Sequence, residues 1–419
     1  MHTLIISQIF PPDMGGSATR AYNVAKGLLA NDIDVTVIAG FPHYPTGNVP
    51  KEYRKRALVT EYVGRIKVIR TFVPPLPSKG LTRRFFLFAS FIISSVFPLA
   101  FVKKIDGVFA SNPQILSIFP ALVYGTVFRC PVLLNVDDLW PESLYDLGML
   151  KSKALRIVGE LIAKVAYSTA DIVVPISPSY VETIVNKYGK DRRKVSVVPG
   201  GVDLNLFSSQ DKKVKEGGEF KVLYIGAFSP AYNFDQVLKA AKLLENEEKI
   251  KIILLGGGEM ALAIREKIKR LNVRNVELIE KVVSREEAAK IMMDADALLL
   301  PLSGLENVEK GISSKLYEYQ AACRPIICCS SGQPGRYVLE TNSGIVVKPG
   351  DFESLVKAIL YLKENKDMAE KLGASGREFV VNNMSIEKIG SKMIAVFNKS
   401  SWNQSKVMSY KRSHDMKIL

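Results

Sequence analysis

Two successive series of short apolar runs constrain the fold of this 419-residue chain most strongly. Each run alternates with a segment of helical periodicity, and the two series together extend from the N-terminus to residue 350. Such alternation is typical of a parallel sheet covered by helices, and the chain is longer than one hydrophobic core usually organises. The sequence therefore predicts an α/β protein with two Rossmann-like domains.

A polar stretch without periodicity separates the two series. It reads SSQDKKVKEGGE over residues 208–219 and contains a pair of glycines. We therefore expect an N-terminal domain over residues 1–205, a linker over 206–219 and a C-terminal domain over 220–384. Residues 385–419 begin with apolar residues at helical spacing, which predicts a last helix, and they end in a polar, basic tail.

The positive charge of the chain is concentrated in one segment. The formal net charge is +15, and residues 51–104 hold twelve Lys or Arg against two Glu. This segment includes an uncharged run, residues 85–102, with two cations on either side, and as a helix the run would extend about 27 Å. Predicted strands of one sheet precede and follow it, and no second apolar run of this length exists. We therefore exclude a membrane-spanning helix.

Three interpretations of the helix predicted over residues 81–104 remain open: a buried core helix, a helix lying in the membrane interface, and a nucleic-acid-binding face. The flanking cations and the block of aromatic residues favour an interfacial helix on an anionic membrane surface. A nucleic-acid face would interleave basic and aromatic residues, so we expect no nucleic-acid partner. The residues predicted to contact the membrane are Arg83, Arg84, Phe86, Phe88, Phe91, Lys103 and Lys104.

The N-terminus lacks the basic region of a signal peptide and leads directly into a predicted strand, so we expect a cytoplasmic protein. The four Cys and three His match no paired zinc spacing. The sequence therefore predicts no metal site.

A glycine pair follows the first predicted strand and precedes the first predicted helix. Gly15 and Gly16 allow the backbone to approach a ligand closely, and Ser17 can cap the helix. The N–H groups of a helix N-terminus bind anions such as phosphate, although a glycine pair also forms ordinary tight turns. The loop lacks the G-x-G-x-x-G spacing of nicotinamide-dependent dehydrogenases, which disfavours that class.

A second anion-binding pattern, GISSKLYEYQAACRPII, leads into a predicted helix in the second series. Ser313 and Ser314 stand at its N-terminus and Lys315 follows, so N–H groups and an ammonium group converge where a diphosphate can bind. Glu318 lies one turn further along. In the alternative interpretation, Lys315 and Glu318 form only a surface ion pair.

Acidic residues follow the predicted strand PVLLNV in the stretch NVDDLWPES. Asp137, Asp138 and Glu142 therefore lie at the strand edge where α/β sheets bind ligands. Asp138 can orient or deprotonate a hydroxyl group there, or it can simply cap a helix.

Seven stretches in a fixed order resemble glycosyltransferase family 4, whose members are retaining enzymes of the GT-B fold. They are the glycine loop, VVPGGVDLNLF, YIGAFSP, LLGGGE, DADALLLPL, SSKLYEYQAACRPII and GIVVKPGDFESLVKAI. The last two together look like the donor-site signature of the family. The stretches extend over roughly residues 3–400, so the resemblance covers nearly the whole chain.

The resemblance implies a GT-B fold, in which two Rossmann-like domains face each other across a cleft and the last helix returns to the N-terminal domain. The nucleotide sugar would bind mainly to the C-terminal domain and the acceptor to the N-terminal domain. It also implies a hexosyltransferase-type enzyme that uses a UDP-linked donor and needs neither a metal nor a cofactor. Asp294 and Asp296 have the D-x-D spacing of metal-dependent transferases, but they precede a predicted strand, and we interpret them as capping or solvation.

The matched motifs carry residue roles with them. By resemblance, Glu318 holds the nucleotide ribose and Lys315 is the cation for the donor diphosphate. We expect Lys315 to be catalytic, together with Asp138, whose role follows from its position at the strand edge. The loop around Val283 would contact the base, and Gly16 would face the diphosphate. The acceptor side comprises Asp137, Asp138 and Glu142. The full donor set is Gly15, Gly16, Gly226, Gly257, Val283, Ser313, Ser314, Lys315, Leu316 and Glu318.

Two positions depart from the family pattern. The first glutamate of the signature, eight positions before Glu318, is Lys310 here, and AFSPAYN replaces the Arg and Lys that commonly follow Gly226. The remaining pattern, SKLYEY with WPES, looks most like transferases of bacterial O-antigen (lipopolysaccharide) and capsule synthesis, including the N-acetylfucosaminyltransferase type.

Such transferases use polyprenyl-diphosphate-linked acceptors. An acceptor of this kind would keep the enzyme peripherally attached to the inner face of the cell membrane, and it would explain the basic and apolar segment. Two other functions remain open, because a fold alone does not decide function. One is a nucleotide-sugar epimerase or hydrolase on the same scaffold, and the other is a non-catalytic membrane adaptor that has lost donor binding.

Overall fold

The computed structural model describes residues 1–44, 46–76, 81–111, 115–146, 148, 152–208, 218–247 and 249–400. The chain forms two compact units: Met1–Gly200 together with the segment from Ile386 onward, and Gly201–Ser385. The division therefore falls at residue 200 rather than after residue 205. Much of the predicted linker, and all of the predicted tail beyond residue 400, lie outside the described residues.

The strands described in the first unit are β1 (His2–Ile6), β2 (Asp34–Gly40), β3 (Leu58–Val63), β4 (Ile66–Thr71), β5 (Gly107–Ala110), β6 (Val132–Val136) and β7 (Ile172–Pro175). They form one sheet in the order β3-β4-β2-β1-β5-β6-β7. All neighbouring strands pair in parallel, except for the antiparallel pair of β3 and β4 at one edge. The carboxyl ends of the parallel strands therefore share one edge of the sheet.

The helices of the first unit that precede residue 200 are α1 (Gly16–Leu29), α2 (Leu81–Ser94), α3 (Ile118–Phe128), α4 (Glu142–Asp146), α5 (Lys153–Thr169) and α6 (Ser179–Glu182). Parallel crossovers are right-handed, so α1, which leads from β1 to β2, covers one face of the sheet. The helices α2, α3 and α5 lead in the opposite direction and cover the other face. Because α2 contacts α3 and α3 contacts α5, we call them the α2/α3/α5 layer.

The strands described in the second unit are β8 (Phe220–Ala227), β9 (Ile250–Gly257), β10 (Val276–Glu280), β11 (Ala297–Pro301), β12 (Ile326–Cys329) and β13 (Gly344–Val347). They form a fully parallel sheet in the order β10-β9-β8-β11-β12-β13. Its helices are α7 (Phe234–Leu243), α8 (Ala261–Leu271), α9 (Arg285–Asp294), α10 (Glu306–Lys310), α11 (Ser314–Ala321), α12 (Gln333–Glu340), α13 (Phe352–Glu364) and α14 (Lys366–Asn383).

The last helix, α15 (Ile386–Lys399), packs against α1 in the first unit. Their contact is close because two glycines meet: a Cβ on Gly27 would lie 2.9 Å from the amide nitrogen of Gly390. Each unit has its own hydrophobic core, one formed around β1 and β6 and the other around β8 and β11. Two parallel-sheet α/β units with separate cores are therefore present, as the alternation in the sequence predicts.

Several elements have no counterpart in the sequence-based prediction, among them β3 and α3. The helix α3 reads IFPALVYGTVF, and because its apolar residues occur all round, it has no polar stripe that would mark a helical period. Polar residues interrupt β3, which reads LVTEYV and pairs with a single neighbour at the edge of the sheet. Neither pattern is distinctive without its tertiary partners.

The helix predicted over residues 81–104 is shorter than expected, because α2 ends at Ser94. The hydroxyl groups of Ser94 and Ser95 donate to the carbonyl oxygens of Phe72 and Ile92, at 2.7 and 3.1 Å, and a short 3-10 helix, Phe97–Ala100, follows. No helix in the described part of the chain is long and apolar enough to cross a membrane.

Candidate functional site

In the second unit, two glycines meet where β8 and β9 end. Gly226 and Gly256 are register partners with φ values of 143° and 153°, which L side chains rarely adopt. A Cβ on Gly256 would overlap the carbonyl oxygen of Gly226, so this position accommodates only glycine. A Cβ on Gly257 would meet no described atom within 4 Å. The predicted donor glycines Gly226 and Gly257 therefore lie at the carboxyl end of two central strands.

Lys315 extends from the first turn of α11 to this strand end. Ser313 is the N-cap of the helix, and its hydroxyl accepts a hydrogen bond from the Lys315 amide at 3.4 Å, while Ser314 is the first helical residue. The ammonium group of Lys315 lies against Gly226 and 5.7 Å from the ring centroid of Tyr232. No described carboxylate forms an ion pair with it. A cation without an ion-pair partner among the described carboxylates is thus held at the end of β8.

Glu318 lies one turn further along α11, half-buried. Burial raises the pKa of its carboxyl group, while the positive charges of Arg285 and Lys315 act in the opposite direction. Arg285 is the first residue of α9, whose N-cap Ser284 accepts a hydrogen bond from Glu287. The second unit therefore brings one carboxylate under the influence of two cations. Arg285 has no motif in the sequence and was not predicted.

Two other predicted donor residues lie in different environments. Leu316 is fully buried, and its amide already donates to the carbonyl oxygen of Ser313 at 3.0 Å. The prediction that Leu316 contacts the donor is therefore wrong, because this residue belongs to the core. Val283 is half-buried in the segment between β10 and α9, where a ligand can still reach it.

Glu309 is the acidic residue next to the position where the family signature has its first glutamate. Its Oε2 accepts hydrogen bonds from the amides of Ser331 and Gly332, at 3.0 and 2.7 Å, and from the hydroxyl of Ser330. It therefore holds the segment that follows β12. Lys310 instead forms an ion pair of 2.6 Å with Glu306 on the surface of α10. Sequence reasoning did not single out Glu309.

The acidic pair Asp294 and Asp296 holds the beginning of β8. Asp296 accepts a hydrogen bond from the amide of Lys221 at 2.7 Å, and Asp294 pairs with the ammonium group of the same lysine at 3.2 Å. Across the described ranges, no group of three or more potential metal-ligating side chains occurs. These two carboxylates stabilise the strand through Lys221.

In the first unit, the glycine loop lies between β1 and α1. Gly16 is the first residue of α1 and Gly15 is its N-cap. No side chain forms a capping hydrogen bond, so the expectation that Ser17 caps the helix is wrong. A Cβ on Gly16 would meet nothing within 4 Å among the described atoms. The N–H groups of the first turn are thus left without a side-chain cap, as an anion site requires.

Asp137 directly follows β6 and belongs to a buried polar network that centres on Arg20. The Arg20 guanidinium donates to Asn135 Oδ1 at 3.1 and 3.2 Å and to the carbonyl oxygen of Val198 at 2.8 Å. It lies 3.8 Å from Asp137 Oδ1, which also accepts from the Asn135 amide at 2.8 Å. Asp137 Oδ2 is buried and has no hydrogen-bond partner in the described structure. Burial raises the Asp137 pKa to about 7, even though Arg20 acts to lower it.

The other two predicted acceptor-side residues differ from Asp137. Asp138 is exposed at the carboxyl edge of the sheet. Glu142 is buried, and its Oε1 accepts hydrogen bonds from Lys187 at 2.9 Å and from the Tyr188 hydroxyl at 2.5 Å. Glu142 is therefore a structural residue of the first unit, and the prediction that it contacts the acceptor is not supported by its environment. Arg20 has no motif and was missed.

The residues predicted to contact the membrane, on α2 and after it, differ in their exposure. Phe86 is 56% exposed, and Arg83, Lys103 and Lys104 are exposed. Phe88 is half-buried, whereas Phe91 is only 1% exposed and packs in the core, so its prediction as a membrane contact is wrong. The helix periodicity places Phe91 on the face that covers the sheet. The side chain of Arg84 lies outside the described residues.

Two family models match adjacent parts of the chain: Glycosyltransferase Family 4 over residues 14–206, and Glycosyl transferases group 1 over residues 207–379. In fold, the chain is similar to sucrose-phosphate synthase from Thermosynechococcus elongatus, with a TM-score of 0.74, 17% identity, and 95% of this chain and 98% of that chain covered. The matched domains and the fold define a GT-B glycosyltransferase. The chain is a glycosyltransferase in which a Glycosyltransferase Family 4 domain is followed by a Glycosyl transferases group 1 domain.

Two further similarities concern ligands and relatives. The structure of Anabaena Alr3699/HepE in complex with UDP-glucose matches with a TM-score of 0.68 and 14% identity, over 95% of this chain and 99% of that one. The O-antigen chain mannosyltransferase C of Escherichia coli is 23% identical over 240 residues, which are 56% of this chain and 62% of the relative. The chain spans 58 to 64% of the length of the first curated relatives that it matches.

Proposed function

We propose that this protein is a retaining, metal-independent glycosyltransferase of O-antigen or capsular polysaccharide synthesis. It moves a sugar from a nucleotide-diphosphate donor to a sugar acceptor linked to a polyprenyl diphosphate. The observation that carries the proposal is the ammonium group of Lys315, which lies against Gly226 without a carboxylate partner among the described side chains.

Lys315 supplies the charge that the reaction requires. When the bond between the sugar and the diphosphate breaks, negative charge develops on the leaving diphosphate, and a cation fixed in advance stabilises it. In this chain the neutral stretch AFSPAYN replaces the cations that commonly follow Gly226. Lys315 provides positive charge at the same strand end from a different element, α11, which supports its role as a catalytic residue.

Glu318 and Arg285 suit the remaining groups of a nucleotide donor. A carboxylate accepts hydrogen bonds from ribose hydroxyl groups. Burial raises the pKa of Glu318, and the positive charges of Arg285 and Lys315 oppose that rise. Arg285 also adds positive charge for the diphosphate. In this proposal Gly15, Gly16, Ser313 and Ser314 contribute backbone N–H groups, and the segment around Val283 contacts the base.

The acceptor hydroxyl requires a group that receives its proton, and we assign that role to the acidic pair after β6. Asp138 is exposed and can reach an acceptor directly, whereas Asp137 is held by Asn135 near Arg20 with one oxygen unoccupied by a described donor. Asp138→Asn and Asp137→Asn should each lower turnover with intact folding and donor binding. Undiminished turnover of either variant would remove that residue from the role.

The substrate class rests on the relatives and on the sequence pattern. The mannosyltransferase relative acts in O-antigen synthesis by its name, and the Anabaena structure holds UDP-glucose. We therefore propose a UDP-linked donor, with an N-acetylated deoxy-aminosugar as the first choice because of the SKLYEY and WPES pattern. Exposed aromatic residues on α2 and cations on both sides of it support peripheral attachment to the inner face of the cell membrane.

The decisive experiment offers a panel of radiolabelled nucleotide sugars to the full chain, with and without membrane lipid extract. Transfer of label to lipid, unchanged by a metal chelator, is the expected result. Conversion of the donor without lipid would instead indicate the epimerase or hydrolase. Absence of saturable binding of any UDP- or GDP-sugar would indicate the adaptor. The anomeric configuration of the product, compared with that of the donor, tests retention.

A further inference from the structure

We propose that α5 is a second membrane-contacting helix and that, together with α2, it docks the first unit on an anionic lipid bilayer. This inference rests on the proposed lipid-linked acceptor. It adds an element outside the basic segment 51–104, because α5 covers Lys153–Thr169 and follows the acidic pair of β6 in the chain.

The orientation of α5 is the reverse of what its residues would favour in water. The buried residues of the helix are Gly159, Ala163, Ala166 and the aromatic Tyr167, and Ile162 packs half-buried against the core. Other large aliphatic side chains point outward, with Ile157 at 67% and Leu161 at 61% exposed. A surface helix normally buries its large apolar residues and exposes small or polar ones. The exposed stripe on α5 is therefore suited to an apolar environment.

The exposed residues form one continuous stripe. Ile157, Val158, Leu161 and Val165 are all exposed, and their spacing places them within a sector of about 100° on the helix. Exposed lysines, Lys153 and Lys164, border the stripe. Lysines in this position extend their apolar stems along the surface and place their ammonium groups among lipid phosphates.

The acidic residue of α5 does not oppose this contact. Glu160 is the single carboxylate within Lys153–Thr169, and its Oε1 binds the Lys187 ammonium at 2.9 Å and the Tyr145 hydroxyl at 3.3 Å. It is therefore directed to neighbouring residues of the same unit. The sequences of α2 and α3 contain no Asp or Glu.

The neighbouring helices extend the apolar surface. The α2/α3/α5 layer covers one face of the sheet, and its outer side also exposes Phe85, Phe86 and Ile93 of α2 and Val127 of α3. The opposite helices, α1 and α15, expose no large apolar residue within their described lengths. Clustered apolar exposure on one side of a domain marks an interaction surface rather than ordinary surface composition.

The charges identify the partner as a lipid surface. Exposed cations border the apolar layer near α2, at Arg83, Lys103 and Lys104, and near α5, at Lys153 and Lys164. Two copies of the chain that met through this layer would bring these cations together, whereas anionic headgroups are complementary to them.

The position of the layer also suits a lipid-linked acceptor. In a parallel α/β sheet, the helix that follows a strand begins at the carboxyl edge of that strand. The N-terminal halves of α2 and α5, which carry Phe85, Phe86 and Ile157, thus lie toward the edge where Asp137 and Asp138 follow β6. An acceptor sugar bound to a membrane diphosphate would meet the acidic pair at this edge.

The test replaces two residues of the stripe, Ile157→Ser with Leu161→Ser, in the full chain. Binding is measured by cosedimentation with vesicles of equal parts phosphatidylcholine and phosphatidylglycerol. Loss of one large aliphatic contact should lower the partition coefficient about tenfold, and the pair should lower it about a hundredfold. The matched control is Leu243→Ser with Leu262→Ser, two residues of the second unit that are 53% and 60% exposed. The control should bind as the unchanged chain does.

Three outcomes are informative. Reduced vesicle binding of the α5 variant, with unchanged UDP binding by calorimetry, supports the proposal, because the donor site lies in the other unit. Unchanged vesicle binding overturns it. Unchanged vesicle binding combined with a lower molecular mass in sedimentation velocity assigns the stripe to self-association and also overturns it. UDP-sugar binding separately tests the glycosyltransferase, so failure of the α5 proposal and failure of the proposed function are distinguishable.

Discussion

The two units share one architecture but differ in where they place apolar and charged side chains. In the first unit, large exposed apolar residues concentrate on the α2/α3/α5 layer. In the described part of the second unit, exposed large apolar residues are scattered over five helices and a loop, at Leu243, Leu262, Val282, Leu339, Tyr361, Met368 and Val381. Scattered exposure is normal, whereas clustered exposure indicates a contact surface.

The cations differ in the same way. Those of the first unit that border α2, such as Lys103, are exposed to solvent, whereas Lys315 of the second unit lies against a strand end. A solvated cation attracts an anionic surface over a distance limited by salt, while a fixed cation stabilises charge that develops in a reaction. The comparison teaches that the shared fold determines the interior and leaves each unit free to specialise its strand ends and outer helices.

The largest expected effect separates the two faces of α2. Phe91→Ser should reduce the free energy of unfolding by about 4 kcal/mol, because it removes a core aromatic side chain and leaves a cavity with a hydroxyl group. Urea denaturation measures this loss. Phe86→Ser is the control and should change stability little, since Phe86 is exposed. Equal loss in both variants would mean that α2 is a core helix on both faces.

The next effect concerns the buried carboxyl group of the first unit. Asp137 has its pKa raised from 3.8 to about 7, so between these pH values the folded protein binds more protons than the unfolded chain. The free energy of unfolding should therefore fall as the pH rises through this range, by an amount on the order of 4 kcal/mol. Urea denaturation at several pH values measures the fall.

Asp137→Asn supplies the comparison for the pH dependence. This variant should lose most of the decline, although its stability at any one pH also reflects the changed environment of Arg20. The slope against pH is therefore the readout, rather than the absolute value. Parallel slopes for Asp137→Asn and the unchanged chain would show that another group causes the dependence.

In the second unit, Lys315→Ala should lower kcat/KM by more than about thirtyfold. This corresponds to a loss of more than about 2 kcal/mol of transition-state stabilisation. The fall should appear mainly in kcat, because the charge develops as the bond breaks. Lys251→Ala is the matched control, since Lys251 belongs to a surface ion pair with Glu277. An unchanged kcat/KM for Lys315→Ala would remove the residue from catalysis.

The smallest effect tests the membrane surface of α2. Phe86→Ser should lower the vesicle partition coefficient about tenfold and leave UDP binding unchanged. Leu339→Ser, in the second unit, is the control, because Leu339 is an exposed apolar residue outside the clustered layer. If both variants bound vesicles equally well, the clustering of exposed apolar residues in the first unit would not explain lipid binding.

Much of the fold follows from local patterns that act before any tertiary contact. Alternating apolar runs predict the parallel strands of both units, because strands buried on two faces need continuous apolar sequence. Edge strand β3 and the uniformly apolar α3 lack such a signal, since only their neighbours in the sheet define them. The end of α2 at Ser94 also depends on a contact with Phe72, from a different part of the chain.

In the candidate site, too, some residues have a local sequence pattern and others are defined only by tertiary contacts. Lys315 and Glu318 belong to one helix, so their spacing alone predicts that they share a face. No local sequence pattern predicts Arg285, Glu309 or Arg20, because each interacts with residues that are distant in sequence.

By itself, the sequence determined the two α/β series, the glycine loop, the lysine and glutamate of α11, and the location of the surplus positive charge. The tertiary structure alone decided which side of each helix meets the core. Phe91 became interior, and Ile157 and Leu161 became exterior, because burial depends on the space that neighbouring elements leave and not on hydrophobicity alone. For the same reason, only the folded unit shows that Lys315 lies against Gly226.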